Sequence, residues 1–311
     1  MRFDRFVEEA LYGPLGFYTT GGRAGRHGDF LTAVEAGPLF GLVTARALDA
    51  WWREAGCPRP FVVVEGGAGR GQWCRMIRAA EPECGAALTW VAVERSEALA
   101  AEAATAADEV VAELPTSAHV VIANELLDNL PFRLLRRSPA GWDELFVVDG
   151  EPVWAECDEM PPFDAALGAT VPWQQTAAAW VDEALATGAA RVVCLDYGDT
   201  TETLAARPWQ EWVRTYAAHG HGTDPWRSPG RQDITCEVAW DQLPGAPVVS
   251  TQADWLRRHG IDALVEEGRA VWQKRAHLGD LAAVAARSRV GEAAALTDPH
   301  GMGAFLVLEW H

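Results

Sequence analysis

Apolar residues recur along this 311-residue chain in two alternating rhythms. Short runs such as Phe61-Val-Val-Val64 are of the kind buried on both faces of a parallel sheet. Longer stretches repeat their apolar residues every three or four positions, the spacing of a helix with one buried side. "PLFGLVTARALDAWWREAG" is such a helix, with a stop signal at Gly56. A strand and glycine turn follow in "FVVVEGGAGRG", then a helix. "ALTWVAVE" predicts a second strand ending at Glu94, with an alanine-rich helix after it. Further strands are expected at His119–Ala123, at Arg191–Leu195, in "GAPVVST" and in the closing "GAFLVLEWH". This alternation predicts an α/β fold with a doubly wound, mostly parallel Rossmann-like sheet.

The rhythm changes after residue 132. "FRLLRRSPAGWDELFVVDGEPVWAE" reads as short antiparallel strands, with turns at Pro139–Gly141 and Asp149-Gly150. We expect an inserted β-region over 133–170 within a single 1–311 domain, and helices with a glycine-rich loop over 1–56. Trp51 and Trp52 are expected in the core. Trp209, Trp212 and Trp226 are also better explained by packing than as a pocket rim.

The charge balance narrows the partners. There are 26 basic residues against 44 acidic ones, a formal charge of −18. Clustered cations that would displace counterions from nucleic acid are missing, so neither DNA nor RNA is expected as partner. The single lysine, Lys274, has no glycine-rich phosphate cradle before it, which argues against a P-loop and against pyridoxal-phosphate chemistry. The six cysteines contain no Cys-x-x-Cys pair and no accompanying histidine cluster, so no metal site is expected. Scattered thiols suit a reducing, cytoplasmic setting. The N-terminal "MRFDRFVEEALYG" reads as a short amphipathic helix and not as a signal peptide. No run of 18 apolar residues is available to span a membrane. Nothing in the pattern fixes the oligomeric state.

The glycine turn carries the first chemical signal. It follows a buried strand and opens a helix, so its backbone can approach a ligand at the carboxyl edge of the sheet. The order is Glu65-x-Gly67-x-Gly69-x-Gly71, which does not meet the dinucleotide spacing from Gly67 or from Gly69. Instead an acid closes each of the first two strands, Glu65 and Glu94. Acidic acceptors and close backbone donors suit S-adenosylmethionine (SAM), which has no phosphates; Glu94 would accept from the ribose hydroxyls. The alternative is a plain tight turn with capping acids. A nicotinamide oxidoreductase is disfavoured by the same spacing.

Several blocks then appear in a recognisable order: "FVEEALYGPLGFYTT", "GDFLTAVEAGPLFG", "VEGGAGRG", "ANELLDNLPF", "CLDYGD" and "WVRTYAAHGHGTDPWRSPGRQDITCEV". In them the chain resembles the MidA-like SAM-dependent methyltransferases, the family of the mitochondrial complex I assembly methyltransferase that modifies a protein arginine. The resemblance implies that residues 25–35 fold over SAM as a lid, with Gly28, Asp29, Phe30, Thr32 and Glu35 beside the cofactor. Two blocks depart from the family. It usually has Thr-Ser-Pro-Glu where this chain has Thr32-Ala-Val-Glu35. It usually has two phenylalanines where this chain has Leu126 and Leu127, a change expected to alter the acceptor pocket.

Asn124, Glu125 and Asp128 follow the third expected strand, at the edge where methyltransferases place the methyl and its acceptor. Asn124 is assigned to the cofactor. Paired carboxylates could hold a guanidinium acceptor, whose nitrogens are all donors; they could equally cap the next helix. Tyr197 either lines the acceptor channel or packs as an ordinary aromatic. Asp233 and Thr235 could simply close a turn. The leading expectation is methyl transfer to a protein or peptide group, including arginine. The alternatives are a small-metabolite methyltransferase and a noncatalytic SAM-binding assembly factor.

Overall fold

The computed structural model describes residues 1–20, 32–217 and 220–311. Seven strands form the central sheet: β1 (Phe61–Gly66), β2 (Leu88–Val93), β3 (Glu109–Val111), β4 (Val120–Asn124), β5 (Arg191–Asp196), β6 (Val248–Thr251) and β7 (Leu306–Trp310). Their order is β6-β7-β5-β4-β1-β2-β3. β1 to β5 run parallel, and β7 is antiparallel to both β5 and β6. The chain moves outward from β1 through β2 to β3, then returns to place β4 on the other side of β1. That reversal leaves a crevice at the carboxyl ends of β1 and β4, where ligands bind in open α/β sheets. Gly66 pairs with both Val93 and Ala123, so the ends of β1, β2 and β4 are level.

Successive residues of each strand feed opposite faces. Val63, Trp90, Ile122 and Leu195 pack against the helix Pro38–Glu54 through Leu39, Phe40, Val43, Leu48 and Trp51. Val64, Val91, Val121 and Cys194 pack against Ala177, Val181 and Ala184 of the helix Gln175–Ala186. The doubly wound α/β expectation holds. β3 was not anticipated: three half-exposed residues give too little periodicity to read.

The inserted region is a four-stranded antiparallel sheet, with strands ordered 151–156, 141–148, 133–138 and 170–173. Asp149 and Gly150 both have positive φ, 52° and 82°, the two-residue turn whose twist matches a hairpin. Arg133 and Glu144 meet inside it through two hydrogen bonds of 2.6 Å, both side chains almost fully buried. A small three-stranded sheet (Val213–Ala217, Gly220–Gly222 and Asp233–Cys236) lies nearby. The N-terminal helix Phe3–Tyr12 fills a third core with Phe3, Val7 and Leu11, against Phe132, Leu145, Trp212 and Ile234. Trp51, Trp52 and Trp212 are buried, and Trp209 stacks obliquely on Trp226 at 5.8 Å.

Candidate active site

A cavity of about 640 Å³ opens at the carboxyl ends of β1, β2 and β4. The sequence-derived residues Thr32, Glu35, Glu65, Gly67, Gly69, Glu94, Asn124 and Glu125 all line it. Gly28, Asp29 and Phe30 lie outside the described residues, as does most of the expected lid. The remaining two candidates sit one layer back: Asp128 and Tyr197 do not reach the cavity wall but hydrogen-bond to each other behind it. Tyr197 packs on Phe305 at 5.3 Å, the packed-aromatic alternative.

The glycine turn owes its shape to left-handed backbone at Gly67 (φ 63°) and Gly69 (φ 54°). A methyl group at Gly67 would lie 2.9 Å from the Leu126 side chain, whereas at Gly69 it would meet nothing within 4 Å. The open approach to the backbone is therefore at Gly69. Glu94 ties this turn to the next one. One carboxylate oxygen accepts the Gly69 N–H at 2.9 Å, and the other accepts the Ser96 N–H at 2.8 Å. Each oxygen keeps a further lone pair. Burial raises the Glu94 pKa, opposed by those backbone donors.

Glu65 closes β1 and is almost fully buried. It accepts from the Trp90 indole at 2.8 Å. Burial holds its carboxyl at about 8. Two further wall atoms are polar and buried without a hydrogen-bond partner: Thr32 Oγ1 and Asn124 Oδ1. Unsatisfied buried groups are costly, so a ligand that pairs with them gains affinity. A cavity this size, with an orphaned hydroxyl, an orphaned amide oxygen, two acids and an open glycine backbone, fits SAM.

Glu125 occupies a left-handed backbone conformation, φ 49°, unusual for a residue with a side chain. Its N–H is fixed to the Leu195 carbonyl at 2.8 Å. Oε1 accepts from the Ala33 N–H at 3.2 Å and the Asn124 amide at 3.1 Å. Behind it stand three more buried carboxylates. Asp196 accepts the Leu127, Asp128 and Tyr197 N–H groups at 2.9, 3.2 and 2.9 Å. Asp128 takes the Tyr197 hydroxyl. Asp233 accepts the Asn129 amide at 3.0 Å and the Ile234 N–H at 2.9 Å. Burial pushes Glu125 up to about 8, with Asp128 adding to it. Burial likewise raises Asp128 to about 7, and burial together with Asp128 raises Asp233 to about 7. Among the described residues, every polar partner of these four acids is an N–H, an amide or a phenol; none is a cation.

Sequence reasoning missed much of the wall. Tyr12 and Tyr18 come from the N-terminal segment, Asn129 from the turn after β4, and Thr176, Ala179 and Trp180 from the helix Gln175–Ala186. Tyr12, Tyr18 and Asn129 stood in the quoted blocks, a signal that singled out no role. Of the two leucines that replace the family's aromatics, Leu126 lines the cavity, while Leu127 is fully buried in the core.

An open α/β sheet with a glycine turn, acids closing β1 and β2, and a ligand-sized cavity at its switch point defines a SAM-dependent methyltransferase. Residues 43–257 match the family model described as "Putative S-adenosyl-L-methionine-dependent methyltransferase", and the chain belongs to that family. A protein arginine methyltransferase NDUFAF7, mitochondrial, from Danio rerio is 24% identical over 323 residues, covering 84% of this chain and 73% of that protein. The Drosophila melanogaster homolog of the same enzyme is 38% identical over 73 residues, spanning 23% of this chain and only 17% of that protein. A solved structure from Burkholderia thailandensis, bound to S-adenosyl-homocysteine, superposes with a TM-score of 0.80 at 26% identity. That match covers 99% of this chain and 87% of the other. The MidA-like resemblance and the SAM cofactor are both borne out.

Proposed function

We propose that this protein methylates an arginine side chain of a protein or peptide. The observation that carries the proposal is Glu125: a carboxylate in the cavity wall, backed by three buried acids with no cation among its described partners. Acids whose pKa values are raised by burial, and for Glu125 by Asp128 as well, gain most from a cationic guest. A guanidinium has only donors and stays charged, so it suits such a wall. The names of the relatives point the same way.

When bound, SAM supplies a methyl group activated by its sulfonium. Glu94 would hold the ribose, the Gly67–Gly69 turn would lie against the cofactor, and Glu65, Thr32 and Asn124 would take its polar amino-acid end. Glu125 would orient one acceptor nitrogen, and positioning of this kind supplies much of the barrier reduction in transfer reactions. Asp128 stabilises Glu125's protonated form and, through Tyr197, stays fixed behind it.

Labelled SAM with a library of arginine-containing peptides tests the proposal. Label in arginine, lost by about 10²-fold or more in Glu125→Gln while S-adenosyl-homocysteine still binds, is the expected result. Label appearing only in hydroxyl, carboxyl or small-metabolite acceptors would overturn it.

A further inference from the structure

We infer that Asp233 is a positioning residue: it locks Asn129 so that its amide oxygen, and not its NH2, is presented to the methyl-accepting group and favours a donor-only one. The inference rests on the arginine proposal above and adds the residue that sets its specificity.

The geometry begins at Asn129, which lines the cavity. Its amide nitrogen donates to Asp233 Oδ1 at 3.0 Å and to the Ile234 carbonyl at 3.3 Å. That same Oδ1 also accepts the Ile234 N–H at 2.9 Å, so it acts as an acceptor and the NH2 side of the amide faces it. The carbonyl side must then turn the other way, where Asn129 Oδ1 accepts the Tyr18 hydroxyl at 3.1 Å. That oxygen retains a free lone pair. The Tyr12 hydroxyl reaches the main-chain oxygen of the same residue at 3.3 Å, and the two tyrosine rings stack at 5.6 Å. Asp233 is itself fixed by the Ile234 N–H and is fully buried, with the Tyr18 hydroxyl close enough to act on its carboxyl as well.

The same device occurs at a second residue of the cavity wall. Glu125 takes the NH2 of Asn124, which leaves Asn124 Oδ1 buried and unpaired. Two amides are thus each turned by a carboxylate so that oxygen, not nitrogen, is presented. Asn124 Oδ1 is left to the cofactor's amine, while Asn129 Oδ1 and Glu125, once ionised, present acceptors to the methyl-accepting group. A carboxylate substrate finds no donor in these two groups, although Arg70 and Arg95 line other parts of the cavity, whereas a guanidinium, with five N–H groups, pairs with both. A side chain at position 233 that could also donate would let Asn129 turn over and place a donor in the wall.

Asp233→Asn changes one atom and keeps the shape. Binding of arginine amide is measured on protein saturated with S-adenosyl-homocysteine, beside the affinity for S-adenosyl-homocysteine and the melting temperature. The wild type binds arginine amide, and Asp233→Asn should weaken it about tenfold with cofactor affinity unchanged. Adding Asn129→Asp to Asp233→Asn restores a carboxylate–amide pair with an acceptor toward the cavity, so arginine-amide affinity should recover. An Asp233→Asn variant that is folded and binds arginine amide as tightly as the wild type would overturn the inference and leave the arginine proposal standing. Wild-type protein that binds S-adenosyl-homocysteine but methylates only a neutral or anionic acceptor would overturn both.

Discussion

Replacing Glu94 with alanine removes two things at once. It takes away the acceptor for the ribose hydroxyls, and it releases the Gly69 and Ser96 N–H groups that hold the cofactor turn. Hydrogen bonds to a charged group are worth about 1.5–3 kcal/mol, so cofactor affinity should fall tenfold or more. The melting temperature should fall as well, because the released donors are partly buried. Calorimetry with S-adenosyl-homocysteine beside a thermal melt checks both. Gly69→Val is the complementary change. Its Cβ meets no protein atom, so the folding cost is confined to the left-handed backbone, about 1–2 kcal/mol, while the branched side chain enters the cofactor's approach. Binding should be lost from a protein that still folds. These residues were legible because Glu94 directly follows β2 and Gly69 lies in the glycine turn three residues past β1. Asp233, Tyr18 and Asn129 were not. They are brought together from segments more than 100 residues apart by packing that leaves no periodic trace.

At the scale of elements, the main chain of the short turn Leu127–Asn129 is tied to β5 by one side chain. Asp196 at the end of β5 accepts two of its N–H groups. The turn carries Asp128 and Asn129, so it links β5 to the acceptor side and reaches the cavity wall through Asn129. The inserted sheet has a different anchor. Removing one partner of a buried ion pair leaves an uncompensated charge and typically costs 3–5 kcal/mol. Glu144→Ala strands Arg133 in this way, and among the described residues the half-exposed Glu159, at 3.0 Å, is then its one carboxylate, beside Gln175, Cys157 and the Trp173 ring. We expect a melting temperature lowered by several degrees with S-adenosyl-homocysteine affinity unchanged, because the pair lies outside the cofactor cavity. A loss of affinity in folded Glu144→Ala protein would show that the insertion shapes the cofactor side. The hairpin turn at Asp149-Gly150 was readable from its two residues, since few others accept positive φ in succession. β3 was not readable, and neither was the wall built by the helix Gln175–Ala186. That helix presents Ala177 and Val181 to the core and Thr176 and Trp180 to the cavity. Its pattern predicts a buried face without saying what the remaining residues confront.

The whole molecule carries its acids in a way that ties stability to pH. Glu65 and Glu125 hold their protons up to about 8 when folded, against an ordinary 4.5, and Asp128 and Asp233 up to about 7 against 3.8. The folded chain therefore binds more protons than the unfolded one throughout the window between these values. Where the native state holds the extra protons, stability falls as pH rises, by at most about 1.4 kcal/mol per pH unit for each group. The contribution is complete below the unfolded pKa values and lost above about 8. The ligand-free protein should accordingly melt at progressively lower temperature from about pH 5 to pH 8. The chain's formal charge of −18 adds a general repulsion in the same direction, so a variant must isolate the local effect. Glu125→Gln removes one titrating group, so its melting curve should decline less steeply and cross above the wild type near pH 8. SAM carries a sulfonium charge that S-adenosyl-homocysteine lacks. At saturation of each, SAM should therefore raise the melting temperature more, and the excess should grow with pH as the acids ionise. A wild-type melting temperature that is level or rising over this range, or a Glu125→Gln curve parallel to the wild type, would show that these carboxylates are ionised and compensated in the folded protein without any ligand.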